Sequence, residues 1–270
     1  MYAYSVTYLK RLILLFYKMH GAGNDFIMLT GSPDLTAKQI AGICHRRTGL
    51  GADGVIWLEK GSDSVDFVMH YFNSDGSRAA FCGNGARCSI YLAAKLQLFT
   101  GDSTRFMAGD GLHNGKILAD NQVLVTITSP SGFRKLTAHD DLPAESYFVN
   151  TGVEHVVCYV ENLQDLDVQT AGRKIRYSAQ FPNGTNVNFI KRNPDSSLNI
   201  RTYERGVEAE TLACGTGISA AAFTDMQISG GAQSRQIRTV AGYLLTAGWQ
   251  DKEFVLTGPA EIVAKGELSI

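Results

Sequence analysis

Two stretches, FCGNGARCSIYLAAKL at 81–96 and ACGTGISAAAFTDM at 213–226, decide how this chain folds. Each runs Cys-Gly-x-Gly into small and apolar residues, which predicts a helix starting at the cysteine in a glycine-rich turn. Cys82 and Cys214 stand 132 residues apart, nearly half of the 270-residue chain. A repeat at that offset predicts two similar halves, each presenting one Cys-Gly helix start. Weaker pairs fall at the same offset: His20–Gly23 against Gly152–His155, Gly54–Trp57 against Asn186–Phe189, and Asn73–Gly76 against Arg205–Glu208.

Around these helices the chain reads as strand-rich. Short branched or aromatic runs bounded by turn residues predict strands at Ile13–Met19, Val55–Glu59, Val65–Phe72, Val123–Thr128, His155–Val160, Asn186–Ile190, Leu198–Tyr203 and Phe254–Leu256. A further helix is expected from Pro33-Asp34 to near Gly49, with Leu35, Ile40, Ile43 and Cys44 as its apolar stripe. The expected fold is α/β of the α+β type, two pseudo-symmetric halves. The best boundary is Ser129–Pro143, with two prolines, a glycine and several charges. The halves are then 1–128, carrying Cys82, and 129–258, carrying Cys214. Residues 259–270 are expected as a C-terminal strand returning to the first half, and 1–11 as an extension.

Composition excludes several classes. Apolar residues are 44% and charged residues 19%, with 25 basic against 26 acidic side chains. A net charge of −1 does not supply the basic face a nucleic-acid binder needs. The N-terminal apolar run, Leu12–Tyr17, is far short of the ~20 residues that span a bilayer. No membrane association is expected, and a cytoplasmic location is. Glycine, at 28 residues, is enriched, so tight turns or close backbone approaches are expected. The cysteines Cys44, Cys82, Cys88, Cys158 and Cys214 form no CxxC, so neither a disulfide framework nor a metal site is expected. Cys44, Cys88 and Cys158 read as packing residues.

The chemistry lies in Cys82 and Cys214. A cysteine at a helix start sits among unpaired backbone N–H groups at the positive end of the dipole. Both favour thiolate, so its pKa is expected below the free value of about 8.5. The same N–H groups bind anions. Two such starts face to face would hold one carboxylate between two thiols, with a sulfur on each face of the neighbouring carbon. One thiolate then removes the α-proton while the opposite thiol delivers one, inverting the centre. An α-proton is far less acidic than a thiol, so the carbanion needs preorganised dipoles in a dry site. No cofactor is strictly required. A packing role for both cysteines is the competing reading, and it does not account for the two glycines, one and three residues after the cysteine, in both copies.

These residues carry a resemblance. KMHGAGNDF (18–26), GLGADG (49–54), FNSDGSRAAFCGNGARC (72–88), FPNGTNVNF (181–189) and YERGVEAETLACGTG (203–217) resemble the motifs of the diaminopimelate epimerases, over about residues 18 to 260. The resemblance implies a pyridoxal-phosphate-independent isomerase that interconverts LL- and meso-diaminopimelate in lysine and peptidoglycan precursor synthesis. It implies curled, mostly antiparallel sheets, each around a central helix, an interdomain active site, and a homodimer, which is frequent in the family. Cys82 and Cys214 match the catalytic thiols, and Glu204 and His155 the polar pair that tunes them. Gly83-Asn84 and Gly215-Thr216 match the helix starts that hold the α-carboxylate. Asn24, Asn73, Asn186, Glu204 and Arg205 match substrate contacts. Read without the resemblance, Asn24 and Asn73 are ordinary turn residues, Glu204-Arg205 a solvated pair, and His155 a satisfied histidine at a strand start. His20 reads as structural.

Two positions depart from the family. Gly54 stands where Gln is frequent, and Val153-Glu154-His155 where Asn-Pro-His is frequent. Both lost side chains can contact substrate, so somewhat relaxed selectivity toward other diamino or acidic amino acids is expected. The nearest rival is a proline or hydroxyproline racemase, which typically has His at the position of Asn84. A thiol redox protein and a non-catalytic amino-acid binder are rivals of different classes.

Overall fold

A computed structural model describes residues 13–62, 64–138 and 141–270. The extension expected at 1–11 lies outside the described residues. In chain order the elements are β1 (Ile13–Gly21), β2 (Asn24–Thr30), α1 (Ala37–Cys44), β3 (Gly54–Lys60), β4 (Phe67–Asn73), β5 (Arg78–Ala79), α2 (Gly83–Lys95), β6 (Ser103–Ala108), β7 (Gly111–Ile117), β8 (Gln122–Ile127) and β9 (Ser131–Lys135). They continue as β10 (Ser146–Asn150), β11 (Glu154–Tyr159), α3 (Val168–Arg176), β12 (Asn186–Arg192), β13 (Leu198–Glu204), β14 (Ala209–Thr211), α4 (Gly215–Ser229), β15 (Ser234–Arg238), β16 (Leu244–Gln250), β17 (Glu253–Pro259) and β18 (Glu261–Ser269).

The pairing pattern repeats. In the first half β1 runs antiparallel to β2, β2 parallel to β3, β3 antiparallel to β4, and β4 parallel to β6, followed by antiparallel β7 and β8. In the second half β10 to β13, then β15, β16 and β17, follow the same sequence of senses. β5 and β14 are short additions on β4 and β13. The duplication is thus far clearer in topology than in sequence. The pairing of His20–Gly23 with Gly152–His155 is displaced, because β2 begins at Asn24 and β11 at Glu154, two residues out of the 132-residue register. The halves join where β8 pairs with β17. β18 returns from the end of the chain to β1, and β9 pairs with β10.

Each half wraps its sheet around one central helix. α2 packs against β1 to β4, β7 and β8, and α4 against β10 to β13, β15 and β16. Nearly all of α4 from Gly215 to Met226 is buried, so it is enclosed on every side rather than along one stripe. One continuous apolar cluster contains residues of both helices. Gly85, in the first turn of α2, shows what the close packing needs: a Cβ there would lie 2.6 Å from Ile56 Cδ1. α1 ends at Cys44, short of Gly49, because the chain turns back on itself, with Leu50 N–H donating to the Ile43 carbonyl. α3 was not expected from the sequence. No helix among the described residues is long and apolar enough to cross a membrane.

Candidate active site

Both predicted helix starts are present and they meet. Cys82 is the N-cap of α2 and Cys214 the N-cap of α4, each in extended conformation. A Cβ on Gly215 would lie 3.6 Å from Gly83 Cα, and a Cβ on either glycine would lie 3.2 Å from Leu256 Cδ2. The first-turn N–H groups of two helices, one from each half, therefore converge on one spot. They have no intrahelical acceptor. Cys82 Sγ accepts from Gly85 N–H at 3.5 Å and donates to Asn24 Oδ1 at 3.7 Å. Cys214 Sγ lies 3.4 Å from Thr216 Oγ1.

The electrostatics correct one expectation. Helix-start dipoles do pull the Cys82 thiol toward ionisation, through Gly85 and Asn84 N–H, but burial outweighs them and pushes it up to about 11. Cys214 is pushed higher still by burial and by the Glu204 charge. Both thiols therefore rest protonated at neutral pH. Burial likewise raises Glu204, whose carboxyl accepts from Thr211 Oγ1 at 2.8 Å. The Glu204 charge acts on both thiols, which puts this carboxylate within electrostatic reach of each.

His155 is fully buried on β11. Asn188 fixes its tautomer. Thr202 Oγ1 donates to Asn188 Oδ1 at 3.0 Å, so Asn188 Nδ2 faces His155 Nδ1 at 3.1 Å and donates to it. The proton then sits on Nε2, which is buried without a partner among the described residues. Burial, with help from the Arg205 charge, drops the imidazole to about 3, so it is neutral. Asn188 also borders the α4 start, since a Cβ on Gly217 would lie 2.3 Å from its Oδ1. Thr151 Oγ1 donates to the Thr216 carbonyl at 3.1 Å. The turn between β10 and β11 is thus docked on the Cys214 helix start.

The asparagines are mostly committed to the framework. Asn84 Nδ2 donates to Asn24 Oδ1 at 3.1 Å and to Ala213 carbonyl at 3.0 Å. Asn24 Nδ2 donates to Asp53 Oδ2 at 2.6 Å. Asn186 Nδ2 donates to the Glu154 carbonyl, and its Oδ1 accepts Arg205 N–H at 2.9 Å. Among the described residues the Asn73 side chain reaches only Ser77 Oγ, at 3.0 Å, in its own turn. Arg205 is half-buried; Nη1 is anchored on the Asn183 and Gly184 carbonyls, and no carboxylate among the described residues pairs with it. Its charge reaches the buried His155. His20, read as structural, lies 3.7 Å from Glu261 and packs on Tyr243. Cys44, Cys88 and Cys158 are buried and free.

Gly54 has a structural reason. A Cβ there would lie 2.5 Å from the Phe72 carbonyl and 2.7 Å from Tyr71 Cε2. The Tyr71 ring therefore occupies the space a side chain at 54 would take. Its hydroxyl feels Cys82, Glu204 and Asp53, and burial with those charges raises its pKa, so it stays a neutral donor. Sequence reading missed Asp53, Tyr71, Arg87, Asn188 and Thr211. Asp53, Arg87, Asn188 and Thr211 lie inside quoted motifs, which was the available signal; Tyr71 lies just outside one. Among the described residues no cluster of His, Cys, Asp or Glu suits a metal ion.

Comparison with known proteins agrees with this geometry. The family model described as diaminopimelate epimerase matches residues 16–132 and 147–263, one segment per half. The diaminopimelate epimerase of Chlorobaculum tepidum is 41% identical over 93% of this chain and 100% of its own. That of Flavobacterium psychrophilum is 40% identical over 92% and 97%. Among solved structures, a phenazine biosynthesis protein of the PhzF family from Bacillus anthracis superposes with TM-score 0.76 at 16% identity, covering 96% of this chain and 100% of that one. A hydroxyproline epimerase from Agrobacterium vitis superposes with TM-score 0.67 at 16% identity, covering 97% and 94%. At that identity the two structures establish the shared fold.

Proposed function

The chain belongs to the diaminopimelate epimerase family, and from that premise we propose that its epimerisation of diaminopimelate runs between the thiols of Cys82 and Cys214. The protein is an isomerase, an epimerase of diaminopimelate. The observation that carries the two-thiol reading is the contact of the two cysteine-capped helix starts, one from each half, with Glu204 acting on both sulfurs.

In this reading the α-carboxylate of the substrate lies on the N–H groups of Gly83, Asn84, Gly215 and Thr216. Its α-carbon then has Cys82 on one face and Cys214 on the other. The ammonium brought in by the substrate favours ionisation of one thiol, whose proton leaves to bulk water as the substrate binds. That thiolate takes the α-proton, and the opposite thiol gives one to the other face. Cys82 and Cys214 exchange protonation states, which makes the enzyme reversible. Charge on the carbanion spreads into the carboxylate, where the converging N–H dipoles are already aimed. Glu204 takes the substrate ammonium. His155 donates from Nε2, held in that tautomer by Asn188. Arg205, oriented through Asn186, clamps the remote carboxylate. Asn24 and Asn84 hold the walls, and Asn73 borders the entrance. This chemistry asks for no cofactor.

The division at 128/129 and 258/259 belongs to the same proposal and is supported by the return of β18 to β1. So do a homodimer and a cytoplasmic location, the latter supported by five free cysteines. The test is α-deuterium uptake by LL-diaminopimelate in deuterated water without added pyridoxal phosphate. A thiol redox protein would show none.

A further inference from the structure

Arg87 lies in the second turn of α2 and is completely buried. Its Nη2 donates to Asn84 Oδ1 at 2.9 Å, Nη1 to the Gly83 carbonyl at 3.3 Å, and Nε to the Pro259 carbonyl at 3.4 Å. All three acceptors are neutral. No carboxylate among the described residues pairs with it; burial lowers its pKa to about 10, and the ionisable groups that act on it are the thiols of Cys88 and Cys82. The fold makes room for it with glycines from two strands. A Cβ on Gly21 would lie 3.2 Å from Nη2, and one on Gly258 would lie 3.2 Å from Nε.

An unpaired buried guanidinium costs several kcal/mol, and an apolar residue would fill the socket more cheaply. A group of this kind calls for an anion beside it. The nearest anion site is the α2 start, to which Arg87 is bonded through both of its first residues. The second half has no such charge. The position 132 residues on is Ser219, whose Oγ donates to the Gly215 carbonyl at 2.9 Å, the same back-bond without the cation. The positive field is one-sided.

We infer that Arg87 is a positioning residue and the built-in counter-charge of the α2 start, holding the Asn84 amide in place and stabilising negative charge on the carboxylate bound there. Arg87 does not touch substrate. Its charge acts most strongly when the α-proton has left and the carboxylate carries the extra electron density. It also acts on Cys82 more than on Cys214, so Cys82 is the thiol that ionises first. The groups facing Cys82 are Arg87 on its own helix, Glu204 at the end of β13, Tyr71 on β4 and Cys214 at the α4 start; of these only Arg87 favours the thiolate.

This rests on the two-thiol reading for its catalytic part, and the experiment separates the two. Arg87→Gln and Arg87→Lys are compared with the wild type in two measurements. The first is the rate of Cys82 alkylation by iodoacetamide at pH 8.5 in the substrate-free protein, read on the Cys82 peptide by mass spectrometry. The second is kcat and KM for LL-diaminopimelate. Arg87→Gln is expected to slow alkylation about tenfold, one pKa unit of lost thiolate. It is expected to lower kcat ~10²-fold with KM changed only a few-fold, because the lost interaction is made mainly in the transition state. Arg87→Lys, which keeps the charge, retains the alkylation rate and recovers most of kcat. Should the Gln variant not fold, Arg87→Met fills the socket without an orphaned polar atom and takes its place. An unchanged Cys82 rate in the neutral variant, or a Lys variant as slow as the neutral one, overturns the inference. A wild type that does not turn over diaminopimelate overturns the two-thiol reading instead, while the alkylation comparison still decides the role of the charge.

Discussion

Asn84, the second residue of α2, donates from Nδ2 to the carbonyl of Ala213, the residue before Cys214, at 3.0 Å. This bond crosses from one half to the other and sets the spacing of the two thiols. The same amide is held from behind by Arg87 and from the side by Asn24.

Removing that brace is expected to cost both stability and rate. Asn84→Ala leaves the Ala213 carbonyl and Arg87 Nη2 without partners in a buried setting, a loss of about 2–4 kcal/mol. Denaturant unfolding measures it, and kcat should fall with it because the helix starts drift apart. A variant within about 0.5 kcal/mol of wild type would show that the bond does not brace the site.

His155 ties stability to pH. Its folded pKa, about 3, lies below the ordinary value of 6.5. The unfolded chain therefore binds a proton through the intervening range and the folded one does not. Stability from this group is full above pH 6.5 and declines as pH falls toward 3, by up to roughly 1.4 kcal/mol per unit. His155→Gln should flatten that part of the unfolding curve. An identical pH slope in the variant would contradict the buried neutral imidazole.

Arg205→Lys tests the clamp. Lysine keeps the charge but cannot hold the Asn183 and Gly184 carbonyls and a carboxylate in one plane. KM for diaminopimelate should rise at least about tenfold, with kcat less affected. Equal kinetics would remove Arg205 from the binding site.

Selectivity is expected to be relaxed. Gly54 carries no side chain and Val153 no amide, and the Tyr71 ring fills the first gap without replacing the amide. A panel of diamino and acidic amino acids should show slow α-proton exchange besides diaminopimelate. Exchange confined to diaminopimelate would mean that Tyr71 restores the discrimination, and Tyr71→Phe would then relax it.

The site was more legible than the sheet. Cys82 and Cys214 announced two helix starts because the Gly-rich turn is a local signal. Their meeting was the condition set by the two-thiol chemistry, and the contact of Gly83 with Gly215 meets it. Strands with apolar residues facing inward, such as β3 and β12, were readable. β7 was not, because its alternation is inverted: Leu112 is exposed while His113 and Gly115 are buried. β15 hid for a similar reason, with Arg235 turned inward onto Asp225 at the end of α4. α3 is a short helix with three basic residues in its last turn, which reads as a solvated loop. The roles of Asn188, Tyr71 and Arg87 depend on partners far along the chain. So does the sign of the thiol shift. Dipoles can be inferred from a helix start, but burial by the other half of the molecule cannot.

The measurement that bears most directly on the central claim is α-deuterium exchange with LL-diaminopimelate in deuterated water, for reduced wild type, Cys82→Ala and Cys214→Ala, each checked for folding. The account predicts deuterium at the α-carbon with meso product in the wild type, and neither epimerisation nor meso product in either variant. Full epimerisation by a variant lacking one thiol would contradict it.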